Sequence, residues 1–280
     1  MHPIQDDCSD AGMTRAIEAN FLAAFEQFRT LPQVQIVESP YVMRITSSAV
    51  PDPLVNGILR AQFPPDSADR HVEEIVAYFR ERHLPLLWQI WPSTRPDDLG
   101  ARLVAAGLSA AGWNAGMALD LHQVADPLPL PPDLTIQSVE NEVHLQQWLR
   151  TLSAGFELQA EVVNLLETLS RQAGFGGGAA FQNYVGFVAD QPAACASMIF
   201  GAGVAGIYNV VTLPDVRGLG LGTALTYRAL LDARSQGYRI AILHSTQMGY
   251  SIYYRLGFRE YFTIHKYFSE APYGLTHRLK

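Results

Sequence analysis

The stretch that most limits what this chain can become is VVTLPDVRGLGLGTALTYRALL, residues 210–231. A β-branched run meets a proline, and glycines then stand at 218, 220 and 222 before a helical pattern begins. Glycine loses more conformational freedom on folding than any other residue. Three at alternate positions therefore mark a tight turn, or a backbone that something must approach closely. The next helix is expected from about Gly222 to Gln236, with Arg228, Asp232 and Ser235 on its polar stripe. Arg228 can pair with Asp232 one turn on, and Gly237 supplies the stop. A strand, RIAILHS, follows. Then come a short helix, QMGYSIYYRL, halted by Gly257, and a last strand, REYFTIHKYF.

A helix N-terminus presents backbone N–H groups without partners and a partial positive charge. Glycines with no Cβ let a phosphate reach them. Two familiar phosphate loops fail here on spacing. The dinucleotide pattern G-x-G-x-x-G/A would end at Thr223 or Leu225, and the G-x-x-x-x-G-K-[ST] loop lacks its lysine. What stands is Arg-x-x-Gly-x-Gly, at Arg217, Gly220 and Gly222.

The clearest change of composition is ADPLPLPPD, residues 125–133, where Pro127, Pro129, Pro131 and Pro132 favour an extended connector. It divides the chain into an expected N-terminal domain, 1–124, and an expected C-terminal domain, 134–280. The second begins with a strand, LTIQSV, and Ser138 is placed to cap a helix bearing Leu145, Trp148, Leu149, Leu152 and Phe156. A second helix carries Val162, Leu165, Leu166 and Leu169 on one face. GFGGG, residues 174–178, reads as a mobile loop. YVGFVAD and AACASMIFG read as strands joined by a turn at Asp190-Gln191-Pro192, and GIYNVVTLP as a third strand. The first half is less regular. Ile17, Phe21, Ala24, Phe25 and Phe28 trace an amphipathic helix, and YVMRITSS, VNGILRAQF and PLLWQIWP read as strands. VEEIVAYFRERH and DDLGARLVAAGL read as helices, before the strand-like AGMALDL. The stop in RLVAAGL faintly echoes the one in YYRLGF, but this half has no counterpart of RGLGLG.

With 48% hydrophobic and 17% charged residues the chain can bury cores. A net charge of −7 and a pI near 5.6 argue against phosphate-backbone binding to nucleic acid. No run of about 18 apolar residues predicts a membrane span, and the acidic start MHPIQDDCSDAG does not read as a secretion signal. Cys8 and Cys195 form neither a disulfide framework nor a metal pattern, and Cys195 reads as a small core residue. His71, His83, His122, His144, His265 and His277 show no ligand spacing, so no metal is expected. Trp88 and Trp91 read as packing residues, in a core or between lobes. A cytoplasmic setting fits this usage.

The order of elements from about 134 to 270, the Arg-x-x-Gly-x-Gly after TLP, and Tyr253-x-x-Leu-Gly-Phe258 together resemble the GNAT superfamily of acyl-CoA N-acetyltransferases. The resemblance implies an α/β (α+β) fold, a mixed, mostly antiparallel sheet flanked by helices. The first half resembles the degenerate partner lobe of two-lobed members. It further implies acetyl-CoA as co-substrate. The backbone amides of Gly218, Leu219, Gly220, Leu221, Gly222 and Thr223, with Arg217 at their edge, would hold its pyrophosphate. The pantetheine arm would lie between YNVVTL and AILHS and bond the backbone near Val211 and Leu213. Where many members have an asparagine, seven residues before the terminal tyrosine, this chain has Thr246, whose hydroxyl replaces only part of an amide's bonding capacity. Tyr253 occupies the position of the acid. Tyr254, about 100° round the helix, points elsewhere.

Transfer of an acyl group to an amine needs a neutral amine and a proton donor for the departing sulfur. A lysine-like amine near pKa 10.4 is neutral in only about one molecule in 2,500 at pH 7. His244, ending a central strand, is a candidate base, and Glu157 is a weaker one that can also face the acceptor. Tyr208 and Asn209 are candidates for touching substrate. No covalent nucleophile stands out, so direct attack is expected. The expected acceptor is a small-molecule or peptide amine, and the expected state is a monomer or homodimer. The competing reading is an acyl-CoA-binding sensor or scaffold without chemistry.

Overall fold

The computed structural model describes residues 3–125, 128–175 and 180–269. In chain order the elements are α1 (Asp10–Glu26), β1 (Gln35–Glu38), β2 (Val42–Thr46), β3 (Gly57–Ala61), α2 (Ala68–Glu81), β4 (Leu86–Ile90), α3 (Leu99–Ala105), β5 (Ser109–Asp120), β6 (Leu134–Ser138), α4 (Glu142–Phe156), α5 (Ala160–Ala173), β7 (Phe181–Val188), β8 (Gln191–Gly201), β9 (Val204–Thr212), α6 (Leu221–Ser235), β10 (Ile240–Ser245), α7 (Gln247–Arg255) and β11 (Arg259–Ser269). Every helix and strand expected from periodicity is present. The connector's Pro127, the loop residues 176–178 and His277 lie outside the described residues.

Chain contacts divide the molecule into two compact units. One comprises the residues up to 27 with 115–261; the other comprises 28–114 with the residues from 262 onward. These units differ from the division expected at 125–133. Helix α1 and the second half of β5 belong with the C-terminal elements, and most of β11 belongs with the N-terminal ones. The reason lies in strand pairing. β5 runs antiparallel to β10 from Ile240↔Asp120 to Ser245↔Ala115, and β11 runs antiparallel to β4 from His265↔Ile90 to Ser269↔Leu86. Each unit's sheet is thus completed by the strand that follows the last helix of the other unit's sequence.

In the larger unit the strand order is β5-β10-β9-β8-β7-β6. Only β9 and β10 are parallel, joined through α6, and every other neighbouring pair is antiparallel. Leu145, Trp148, Leu149 and Leu152 of α4 form a core with Val185, Phe187, Cys195 and Val211 on one sheet face. Helix α6 buries Leu221, Ala224, Leu225, Ala229, Leu230 and Ala233. Its Arg228 pairs with Asp232 at 3.0 Å, as the spacing predicts, and Asp232 also accepts the buried Tyr184 hydroxyl at 3.0 Å.

The smaller unit repeats the plan in the order β1-β2-β3-β4-β11, again with one parallel pair, β3 and β4, bridged by a helix, α2. Its core gathers Phe79, Leu86, Trp88, Leu99 and Leu103. Trp91 is buried too, edge-on to Phe262 at 6.1 Å.

Two local expectations are corrected. Ser138 does not cap α4; Asn141 does, its Oδ1 accepting the His144 N–H at 2.9 Å. Asn141 is the residue immediately before the first helical turn, where a short side-chain acceptor reaches the free amides. The β7–β8 turn is Ala189-Asp190, with φ of +48° and +60°, while Gln191 and Pro192 already belong to β8. Positive φ at both central residues gives the twist a two-residue hairpin needs.

Candidate acyl-transfer site

The glycine turn closes the path from β9 into α6. Arg217 does not project freely. Its Nε donates to the Thr212 carbonyl at 3.2 Å, tying the two ends of the turn. Gly218 and Gly220 have φ of +82° and +80°, the left-handed region where a side chain is strained. A methyl group on Gly218 would meet nothing within 4 Å, so backbone angle and not crowding selects that glycine. Helix α6 begins at Leu221 without a side-chain cap, and its first internal bond runs from Ala224 N–H to Gly220 C=O at 3.0 Å. Among the described residues, nothing accepts a hydrogen bond from the six amides of residues 218–223. Such a row at the positive end of a 15-residue helix is a cradle for an anion. Residues Leu128–Pro131 of the connector, with Gly218–Gly220, Thr223 and Ala224, line an open cleft of about 450 Å³ here. Tyr227 fastens the connector, donating to Ala125 C=O at 3.0 Å and accepting from Leu128 N–H at 3.3 Å.

From this cradle an opening runs between β9 and β10. The strands pair at Ala241↔Ala205, Ile242↔Gly206 and Leu243↔Ile207, and then part. β10 remains paired with β5 along its other edge as far as Ser245. β9 departs because its register with β8 shifts between Cys195 and Ser197. The extra residue is Asn209, at φ +53°, whose amide donates to Ser197 Oγ at 3.1 Å. A bulge of this kind bends one strand away from its neighbour. Asn209 is thus the hinge of the opening, and its side chain is turned to β8.

Backbone groups along β9 alternate between its two edges. Leu213 N–H donates to Ala193 C=O at 2.9 Å, so Leu213, and Val211 two residues earlier, use the β8 edge. The residues that turn backbone groups into the opening are therefore Val210 and Thr212, one step from the expected Val211 and Leu213. The bulge at Asn209, on which this alternation depends, is not visible in the sequence.

Beyond the opening, α7 carries Tyr253. Its ring is half-buried, edge-on to Phe258 at 6.1 Å, and burial pushes its hydroxyl pKa up to about 12. No described residue bonds the hydroxyl. Gly249, one turn earlier, makes room, since a methyl there would stand 2.8 Å from Tyr253 Cε2 and 3.4 Å from Ser245 Oγ. Tyr254 is exposed, as expected, and stacks with Tyr250 at 6.4 Å. Thr246 caps α7, its Oγ1 accepting Gly249 N–H at 3.4 Å, which leaves its hydroxyl proton for a ligand.

His244 and Tyr208 stand on opposite lips where the strands part. The residue surface of His244 is only partly covered, yet its ring lies among apolar groups, edge-on to Tyr208 at 5.8 Å and tilted against Phe21 at 5.6 Å. Desolvation lowers its pKa to about 4. Tyr208 donates its hydroxyl to Asn20 Oδ1 at 2.9 Å, and burial raises its pKa. Glu157 is exposed at the end of α4 with φ +52°. Cys195 is buried with its thiol pKa raised by burial, an inert core residue. The described residues contain no cluster of three or more His, Cys, Asp or Glu side chains placed for a metal. Asn20, Gly206 and Gly249 were not singled out by sequence reading. A lone asparagine within the stripe Ile17, Phe21, Ala24 was the available signal.

Residues 182–260 match the family model described as "Acetyltransferase (GNAT) domain". The chain carries a GNAT domain. It spans β7 to the start of β11 and so contains the bulge, the glycine turn and α7. The whole fold is that of two-lobed GNAT proteins. A GCN5-related N-acetyltransferase from Kribbella flavida is similar in structure, with a TM-score of 0.69 and 18% identity over 92% of this chain and 96% of that one. Another from Sphaerobacter thermophilus has a TM-score of 0.62 and 14% identity over 94% of each chain. A tandem GNAT protein from the clavulanic acid biosynthesis pathway has a TM-score of 0.60 and 16% identity over 96% of this chain and 97% of that one. No curated protein matches the sequence. Among the described residues, no helix is long and apolar enough to cross a membrane.

Proposed function

We propose that the chain is an acetyl-CoA-dependent N-acetyltransferase acting on a primary amine of a small molecule or peptide. One observation carries this reading. Six amides at 218–223 that no described residue bonds precede α6, the parallel strands β9 and β10 pair only from Ala205 to Ile207, and α7, which follows β10, bears Tyr253, whose hydroxyl no described residue bonds. A module that only bound the carrier would have use for the cradle and the opening, but not for that hydroxyl.

Acetyl-CoA supplies the activated acyl thioester. The amides of Gly218 to Thr223 hold its pyrophosphate, each charged contact contributing roughly 1.5–3 kcal/mol net. Backbone groups of Val210 and Thr212 bond the pantetheine arm, and the Thr246 hydroxyl adds a contact beside it. Tyr253 donates a hydrogen bond to the departing sulfur. A hydroxyl with a pKa of about 12 lies roughly 3.5 units above a thiol near 8.5, so complete transfer runs uphill by about 5 kcal/mol. Tyr253 therefore steadies the sulfur by hydrogen bonding; as the C–N bond forms and the C–S bond breaks, the proton lost by the attacking nitrogen passes to solvent, from which the thiolate takes one up.

The same arithmetic removes His244 as the direct base. An imidazole with a pKa of about 4 lies roughly 6.4 units below a lysine-like ammonium, an uphill transfer of about 9 kcal/mol. Losing the proton to solvent at pH 7 costs about 4.6 kcal/mol, so solvent is the better acceptor. His244 shapes the site as a neutral ring. Release of thiol from acetyl-CoA, followed with a thiol reagent across a panel of amines, tests the proposal. Amine-dependent release that falls in Tyr253→Phe supports it; tight carrier binding with no release by any amine overturns it in favour of a sensor.

A further inference from the structure

Asn20 interrupts the apolar stripe of α1 and is fully buried. Its Nδ2 donates to the carbonyls of Ile199, Gly201 and Val204 at 3.2, 3.1 and 3.3 Å, where β8 turns into β9. Its Oδ1 accepts the Tyr208 hydroxyl. Gly206 permits this, because a methyl there would collide with Asn20 Oδ1 and the Tyr208 ring. Phe21, the next residue of α1, packs against the same imidazole of His244 that Tyr208 meets edge-on. Asn20 thus locks one tyrosine by a chain of buried and part-buried hydrogen bonds, and α1 closes a trio of rings around it.

The trio stands at a defined place. Ile207↔Leu243 is the last pair joining β9 and β10, and Tyr208 and His244 are the next residue on each lip. The glycine turn lies past the other end of β9. A carrier whose phosphates rest on that turn and whose arm runs along β9 brings its acyl group to the Tyr208–His244 end. A wall made of close-packed rings and held by buried hydrogen bonds does not deform to admit extra methylenes cheaply.

We propose that helix α1, at the far end of the sequence, is part of the acyl-transfer site, with Asn20 a positioning residue that acts through Tyr208 to hold the acyl-end wall and restrict it to short acyl groups. This rests on the glycine turn being the coenzyme A site. The two ideas separate in one set of calorimetric titrations of the full chain with coenzyme A, acetyl-CoA and hexanoyl-CoA. Wild type should bind acetyl-CoA more tightly than hexanoyl-CoA. Tyr208→Phe removes a single hydroxyl and should keep its affinity for free coenzyme A while the acetyl-to-hexanoyl preference falls by up to about tenfold, the effect of one hydrogen bond. Asn20→Ala should show the same loss together with a lower melting temperature. If Asn20→Ala does not fold, Tyr208→Phe alone decides. An unchanged preference in Tyr208→Phe with normal coenzyme A binding overturns the role of α1 and leaves the glycine turn intact. Failure of wild type to bind coenzyme A overturns both.

Discussion

Tyr253 and His244 face different electrostatic fates although burial shifts both. Burial favours the neutral form of each, which keeps a proton on tyrosine and off histidine. With its pKa pushed up to about 12, Tyr253 stays protonated from pH 6 to 10, so no limb of a pH–rate profile in that range belongs to it. Tyr253→Phe should lower the turnover rate by about a hundredfold, within the usual range for a lost hydrogen-bond donor to developing charge, while calorimetry finds acetyl-CoA affinity within about twofold of wild type. An unaltered rate would remove the residue from the chemistry. His244 gives a prediction about stability. An unfolded histidine near pKa 6.5 takes a proton that the folded one, near 4, refuses. The unfolded state therefore binds more protons between those values, and stability falls as pH drops from about 6.5 to 4 and is complete above. In denaturant titrations across that range, His244→Phe should flatten the slope. A slope identical to wild type would show that the imidazole is not desolvated.

At the scale of elements, the parting of β9 from β10 depends on one residue in a left-handed conformation and on glycines that answer two different demands. Gly218 is needed for its angle, with open space around it, so Gly218→Ala should cost only about 1–2 kcal/mol. Gly206 is needed for space against Asn20 and Tyr208, and Gly206→Ala should cost about 3 kcal/mol or more, since overpacking adds to broken buried hydrogen bonds. Chemical denaturation of the two variants checks the ordering, and a reversed order would contradict the packing described. Much of this level was legible in the sequence. The periodic apolar stripes of α4 and α6, the stop at Gly237 and the Arg228–Asp232 pair follow from local spacing. The bulge at Asn209 was not legible, because VVT reads as a uniform β-branched strand and the shift exists only relative to β8. For the same reason the sequence did not show that Val211 and Leu213 turn their backbone groups to β8 while Val210 and Thr212 turn theirs away. The cap at Asn141 was missed by three residues and the turn at Ala189-Asp190 by one, where several polar candidates adjoin.

At the scale of the molecule, the sequence offered a proline-rich boundary, whereas the compact units trade strands across it. Composition changes along the chain, but strand exchange is a matter of pairing between β5 and β10 and between β11 and β4, and no local property of Ser109–Asp120 announces its partner. A chain shortened to 134–269 would lose both α1 and the strand that pairs with β10 along six registers. It should aggregate or melt well below the full chain in gel filtration and calorimetry, and independent folding with undiminished carrier binding would contradict the assignment of α1 and β5 to this unit. The central claim is that a carrier's diphosphate rests on the free amides of the turn before α6. The most direct measurement is amide hydrogen exchange on the full chain with and without coenzyme A. The account predicts slowed exchange at residues 218–223 and along Val210 and Thr212. Saturating coenzyme A that leaves these amides exchanging as before, or protects only another part of the molecule, would contradict it.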